Sequence, residues 1–167
     1  MSHHELSPAR EVRFFLSDLL SADATAAYEE HSRRINERLP QVEVRHVGGT
    51  SVPGLLTTGD VDLQVRVSES DFAEARDALC DLYEPMYRDR WRESAYFYAA
   101  SSEPRVEIAL TAIGNIDDLH HGESWQRIAG DPALIESYNA LKRAYEGCSV
   151  DGYQAAKRAF FHENFKL

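Results

Sequence analysis

The sequence predicts an α/β (α+β) fold: a mixed β-sheet flanked by helices, with further helices toward the C-terminal end. Three observations point there. Apolar residues alternate with period two in several segments of the first two-thirds, helical periodicity marks segments before and between them, and helix-start and helix-stop signals crowd the last third. The chain has 167 residues, 43% of them hydrophobic and 28% charged, which suits a single domain over 1–167 with its own core.

The elements follow in order. Residues from about Ala22 to Leu39 read as a helix, with Ser21 or Asp23 as cap, one apolar stripe, and Pro40 as its end. Val42 to Val47 alternates as a strand running into Gly48-Gly49. Ser51 to Gly59 is a loop or short helix, and Asp60 to Val67 is a second strand. A helix from about Asp71 to Leu82 presents Phe72, Ala75, Leu79 and Leu82 on one face, with Ser70 or Asp71 at its N-cap and Cys80 on or beside the core face. Ser94–Ala100 and Arg105–Ile113 form a hairpin through Ser101-Ser102-Glu103-Pro104. Asp131-Pro132 opens a helix that Gly147 closes, and a last helix runs from about Val150 to Phe161.

Composition removes several function classes. A net charge of −10 argues against general nucleic-acid binding or an anionic membrane surface, both of which need surplus Lys and Arg. Cys80 and Cys148 lie far apart, outside any zinc or disulfide framework. The start, Met1 to Glu5, has no apolar leader and no stretch reaches membrane-spanning length, so a cytoplasmic location is expected. Neither a Ser-His-Asp order, nor HExxH, nor a Gly-Lys-Ser/Thr loop occurs, which leaves hydrolase, zincin and P-loop readings without support.

The chemistry concentrates in Val47-Gly48-Gly49-Thr50-Ser51 followed by Asp60-Val61-Asp62-Leu63. On a strand, residues i and i+2 share a face, so Asp60 and Asp62 project side by side while Val61, Leu63, Val65 and Val67 enter the core. Two adjacent carboxylates beside an apolar face are costly unless a cation compensates. Glu107, inside the apolar run Val106 to Leu110, completes a triad if its strand lies about 4.8 Å from the first. Such oxygen donors suit Mg²⁺ or Mn²⁺, which also bind substrate phosphates and favour attack at the α-phosphorus of an NTP. Gly48-Gly49 lets backbone N–H groups approach phosphate, and the Thr50 and Ser51 hydroxyls can donate further bonds. Against this stand plainer readings: a Gly-Gly that is only a turn, an Asp-x-Asp on a solvated edge, and a Glu107 that faces water.

These residues resemble the nucleotidyltransferase superfamily related to polymerase β, in which Gly-Gly precedes an Asp-hydrophobic-Asp strand. More narrowly, Arg45 to Leu55 resembles the GrpB family and its His-Ile-Gly-Ser-Thr-Ser-Val-Pro-Gly-Leu segment. Tyr138-Asn139-Ala140-Leu141-Lys142 and Tyr153 with Lys157 resemble that family's C-terminal helices, so the likeness covers roughly residues 42 to 163. It implies a nucleotidyltransferase-like fold, with Gly48 and Gly49 as phosphate turn, Asp60 and Asp62 as metal pair, and Glu107 as third acid. The chain departs from the family where Gly49 replaces a serine, where Thr58-Gly59 replaces Lys-Pro, around Ser124-Trp125-Gln126, and in an N-terminal Pro-Tyr and Trp signature absent here. It also carries both aspartates where relatives often keep only the second.

Lys142 and Lys157 recur on the two C-terminal helices, facing either a triphosphate or solvent. Arg88, Arg90 and Arg92 would share one side of an extended segment, with Tyr87, Trp91 and Tyr96 as stacking surfaces or as core. His3, His4, His120 and His121 read as surface, and His46 as either a substrate contact or a structural histidine. The leading expectation is Mg²⁺-dependent transfer of a nucleoside monophosphate from an NTP to a small-molecule or protein hydroxyl. The alternative is a non-catalytic nucleotide- or metabolite-binding module on the same fold, separated from the first by where Glu107 points.

Overall fold

Residues 10–166 are described by a computed structural model; the expectations for Met1 to Glu5, including His3 and His4, lie outside them. In chain order the elements are β1 (Phe15–Leu16), α1 (Ser17–Arg38), β2 (Glu43–Val47), β3 (Leu56–Thr57), β4 (Val61–Val67), α2 (Phe72–Leu82), β5 (Glu84–Met86), β6 (Ala95–Ala100), β7 (Val106–Ala112), α3 (Ile116–Gly130), α4 (Pro132–Tyr145) and α5 (Val150–Phe165). The main sheet is mixed, in the order β2-β4-β7-β6-β5, with β4 parallel to β7 and the other neighbours antiparallel. β1 and β3 pair separately.

The alternation read from the sequence decides which strand lies deepest. Val61, Leu63, Val65 and Val67 are each at most 1% exposed, and they join Ile35, Leu79, Tyr98, Ile108 and Leu110 in the main core between the sheet and helices α1 and α2. The opposite face of β4 is also covered: Gln64 is fully buried and bonds Asp118 at the start of α3. Parallel strands are stable when both faces are covered, and here the second cover is polar. A smaller apolar cluster, Val52, Leu55, Ile128, Tyr138 and Phe160, ties the segment before β3 to α3, α4 and α5.

Several expectations change. Helix α1 starts at Ser17, ahead of Ser21 and Asp23, because tertiary bonds set its start: Ser17 N–H donates to Leu55 O at 2.9 Å and its hydroxyl to Val52 O at 2.6 Å. Asp71 takes the N-cap position of α2 as expected, but its side chain makes no capping bond; the Ser68 hydroxyl donates to that carboxylate at 2.9 Å instead. Cys80 is exposed, on the flank of a helix whose core face is Phe72, Ala75, Ala78 and Leu79. β5 has no counterpart in the sequence reading, because Pro85 argues against a central strand; it sits at the sheet edge, where proline costs no ladder bond. α3 is likewise new, capped by Asn115, whose side chain accepts from Asp118 N–H. Asp131 with Pro132 opens α4 as expected, and α5 extends to Phe165, beyond Phe161.

Candidate active site

The glycine turn is shaped around a carboxylate. Gly48 has φ +78° and ψ −173°, a conformation open almost only to glycine. A Cβ at this position would lie 2.1 Å from Asp62 Oδ2. Gly49 opens a single 3₁₀ turn to Ser51 and packs equally tightly, since its Cβ would meet Thr57 Oγ1 at 2.8 Å. The Ser51 hydroxyl donates back to Gly48 O at 2.6 Å. Thr50 is buried, bonded to His46 Nε2 at 2.9 Å and donating to Asp60 O at 3.4 Å. The two hydroxyls expected to reach phosphate are therefore engaged within the turn. Gly49 lines the adjoining cavity, together with Thr57 and Thr58, whereas Gly48, Thr50 and Ser51 do not line it. His46 takes the structural role, with its ring stacked on Tyr28.

Asp60, Asp62 and Glu107 all line that cavity, whose volume is about 270 Å³. β4 and β7 pair in parallel with Asp62 opposite Glu107, so the two carboxylates lie side by side. Asp60 immediately precedes β4. Glu107 accepts from Arg105 Nε at 3.3 Å. Asp62 has no hydrogen bond or ion pair among the described residues. Burial pushes its acid up to about 7; the neighbouring Glu107 and Asp60 charges add to the rise, and Lys157 and Lys142 oppose it. Asp60 is raised in the same way by burial, against Arg105, Lys157 and Arg10.

The facing wall comes from α4 and α5. Lys142 is 2% exposed; its ammonium donates to Leu56 O and sits 3.8 Å from the Tyr138 ring centre. Burial, with Lys157 nearby, lowers it to about 7, while Asp62 pulls the other way. Lys157 is half-buried, lines the cavity, and makes no hydrogen bond or ion pair among the described residues. Asn139, which sequence reasoning did not single out, accepts from Leu56 N–H at 2.8 Å and donates to Gly54 O at 2.9 Å. It thus fixes the chain between the glycine turn and Asp60. Only its place in the Tyr138–Lys142 run marked it.

The arginine row does not form. Arg88–Arg90 is a 3₁₀ turn, entered through Tyr87 in the left-handed region at φ +51°, so the three guanidinium groups diverge. Arg88 stacks on Trp91, Arg90 on Tyr87, and Arg92 reaches Asp117 at 3.5 Å; of the three, Arg90 lines the cavity. Trp91 packs edge-on against Tyr96 and donates to Met86 O. His121, read as surface, lines the cavity, where burial lowers its pKa. Sequential histidines cannot both be aimed from one helix face, and α3 turns this one inward.

With this geometry in view, comparison with known proteins gives a family. The model of the GrpB protein family matches residues 20–166. The chain belongs to the GrpB family. A UPF0157 protein of Vibrio cholerae is 24% identical over 150 residues, covering 89% of this chain and 79% of that one. The crystal structure of the conserved protein GrpB from Enterococcus faecalis has the same fold, with a TM-score of 0.65 at 18% identity over 85% of this chain and 87% of the other. A cytoplasmic RNA terminal U-transferase aligns less closely, with a TM-score of 0.48 at 18% identity, over 71% of this chain and 36% of the enzyme. Among the described residues of this GrpB-family chain no helix is long and apolar enough to cross a membrane.

The donor set fits a hard divalent cation in part. Carboxylate oxygens are what Mg²⁺ prefers, and Asp62 is a desolvated carboxylate lacking a partner, with Asp60 beside it. Among the described residues, however, no three of His, Cys, Asp and Glu are grouped as a ready metal site. Glu107 joins such a set only by leaving Arg105.

Proposed function

We propose that this GrpB-family protein is a divalent-metal-dependent nucleotidyltransferase, acting on an NTP and a hydroxyl acceptor. One observation carries the reading: Asp62, desolvated and unpartnered, stands opposite Glu107 across β4 and β7 in a cavity whose far wall presents a free lysine. Asp60 and Asp62 would hold Mg²⁺ or Mn²⁺, with Glu107 as third ligand or as base. The bound metal neutralises triphosphate charge and makes the α-phosphorus more electrophilic.

The chain's own groups supply the rest. Gly49 lines the cavity without a side chain, so phosphate can approach its backbone, while the bare Gly48 leaves room for the Asp62 carboxylate. Lys157 is the cation free to meet phosphate oxygens, and Lys142 stands behind it; the Thr57 and Thr58 hydroxyls replace Thr50 and Ser51 as donors at the cavity surface. A second cavity of about 550 Å³ shares Thr58 and Asp60 with the first. Two spaces meeting at one carboxylate give donor and acceptor separate approaches to the same centre.

The Arg105–Glu107 ion pair favours a second reading, a nucleotide- or metabolite-binding module without transfer. Calorimetric titration of ATP, GTP, CTP and UTP, with Mg²⁺ and then with EDTA, separates the cases. Metal-dependent binding that disappears in the Asp60→Asn/Asp62→Asn double variant, followed by pyrophosphate release with an acceptor, is the expected result. Nucleotide binding indifferent to EDTA and to the carboxylates supports the binding module, and no binding under any condition removes both.

A further inference from the structure

Lys142 does something that phosphate binding does not require. It is an ammonium group placed almost wholly inside the protein, 2% exposed, yet it has no carboxylate at ion-pair distance among the described residues. Among the described residues its only fixed partners are the Leu56 carbonyl and the face of Tyr138. The charged and titratable groups of the cavity around it are Lys157 on α5, Asp60 and Asp62 at the start of β4, Glu107 on β7, Arg90 before β6, His121 on α3, and the phenols of Tyr87, Tyr138 and Tyr153. Lys157 is a like charge, and a buried amine beside a second cation is the arrangement that yields a neutral, nucleophilic lysine. A lysine meant only to hold phosphate would sit in water, fully charged. This one is desolvated behind another that already fills that role, and it lines an open cavity.

We propose that Lys142 is a reactive amine that forms a Schiff base with a small anionic carbonyl compound, an α-keto acid or a carboxylate-bearing aldehyde, whose anionic group pairs with Lys157. The neutral Nζ adds its lone pair to the carbonyl carbon, and the carbonyl oxygen takes up a proton. The resulting carbinolamine loses water as the nitrogen gives up its proton and the C=N bond forms. No redox partner is needed, and the step is reversible. The cavity of about 270 Å³ admits such a compound beside the amine. This chemistry is independent of nucleotidyl transfer, because it uses neither a triphosphate nor a metal.

The chain has only three lysines, Lys142, Lys157 and Lys166, which makes the test direct. The full-length protein is incubated at pH 7 with glyoxylate and cyanoborohydride, without metal, and each lysine's adduct is followed by peptide mass mapping. Lys142 is expected to be carboxymethylated first, at least about tenfold faster than Lys157 or Lys166, with a rate that rises through neutral pH as one amine ionises. Uncharged acetaldehyde should label Lys142 too, and Lys157→Ala should slow glyoxylate several-fold more than acetaldehyde, since both lose the like charge that keeps the amine neutral but only glyoxylate loses its ion-pair partner. Equal labelling of the three lysines, or labelling of Lys157 and Lys166 alone, overturns the proposal. So does a Lys142→Met protein, folded by circular dichroism, that still takes up the fast adduct.

Discussion

Two buried acids in this molecule have opposite fates. Asp118 and Asp62 both belong to elements on or against the central strands, and desolvation raises the acid of each. Around Asp118 that effect is outweighed. Arg66 grips both carboxylate oxygens at 2.7 and 2.8 Å, the Gly114 amide donates at 2.9 Å, and Thr111 and Gln64 donate at 3.1 Å, so its pKa ends below the usual carboxylate range. Around Asp62 the desolvation stands, because no donor meets it. Every oxygen of Asp118 is used in holding α3 to the sheet. Those of Asp62 face the cavity without a partner among the described residues. A saturated buried charge belongs to the architecture, and an unsatisfied one marks a site.

The largest effect should come from the saturated acid. Asp118→Ala leaves Arg66, only 15% exposed, with Glu43 as its remaining partner, and it frees Thr111, Gln64 and the Gly114 amide. Removing one member of a buried pair costs about 3–5 kcal/mol, and Glu43 should hold the loss near the lower end. Urea unfolding would measure it. A loss below about 1 kcal/mol would mean that the network is no more than decoration, and the contrast with Asp62 would collapse.

Gly48→Ala should come next, since it touches the boundary between architecture and site. The backbone conformation is costly for any residue with a Cβ, by about 1–3 kcal/mol, and that Cβ collides with Asp62 Oδ2. The expected outcome is a moderate fall in melting temperature together with loss of metal-dependent nucleotide binding. Wild-type binding in a destabilised variant would show that the position of Asp62 does not matter, which strikes at the transfer reading.

The sequence made one half of this contrast visible and hid the other. Asp60 and Asp62 could be placed on one face by counting in twos, and the valines between them predicted which face was core; both follow from strand geometry, which is local. That Glu107 stands opposite Asp62 depended on β4 and β7 being neighbours, a pairing that the intervening α2, β5 and β6 leave open. Lys142 reads from sequence as facing a triphosphate or solvent, and Asn139 as an ordinary residue of a helix. Their burial comes from Leu56 and Gly54, more than 80 positions away in sequence, and no periodicity carries that information. The Asp118 network was missed for the same reason: Gln64 and Arg66 read as the solvent-side residues of an alternating strand, whereas α3 covers them.

The smallest effect is the most diagnostic. Asp62→Asn removes a charge that burial disfavours more than Lys157 and Lys142 favour it, so it should leave stability unchanged at low pH and raise it at high pH. The folded-state acid lies near 7, above its ordinary value of 3.8. Between those values the folded protein holds a proton that the unfolded chain has released, and wild-type stability falls as pH rises through that window. Lys142 acts in the opposite sense above neutrality. Its folded-state value near 7 lies below the ordinary value of 10.5, so stability is regained as pH climbs from 7 toward 10. The two groups together make the site's own contribution to stability poorest near pH 7. Denaturation of wild type and variant from pH 4 to pH 8 isolates the carboxylate: the difference should start near zero and grow with pH in favour of asparagine. A difference of the other sign, asparagine less stable at pH 8, would mean that the Asp62 carboxylate is held by partners as Asp118 is, and its claim to a functional role would go with it.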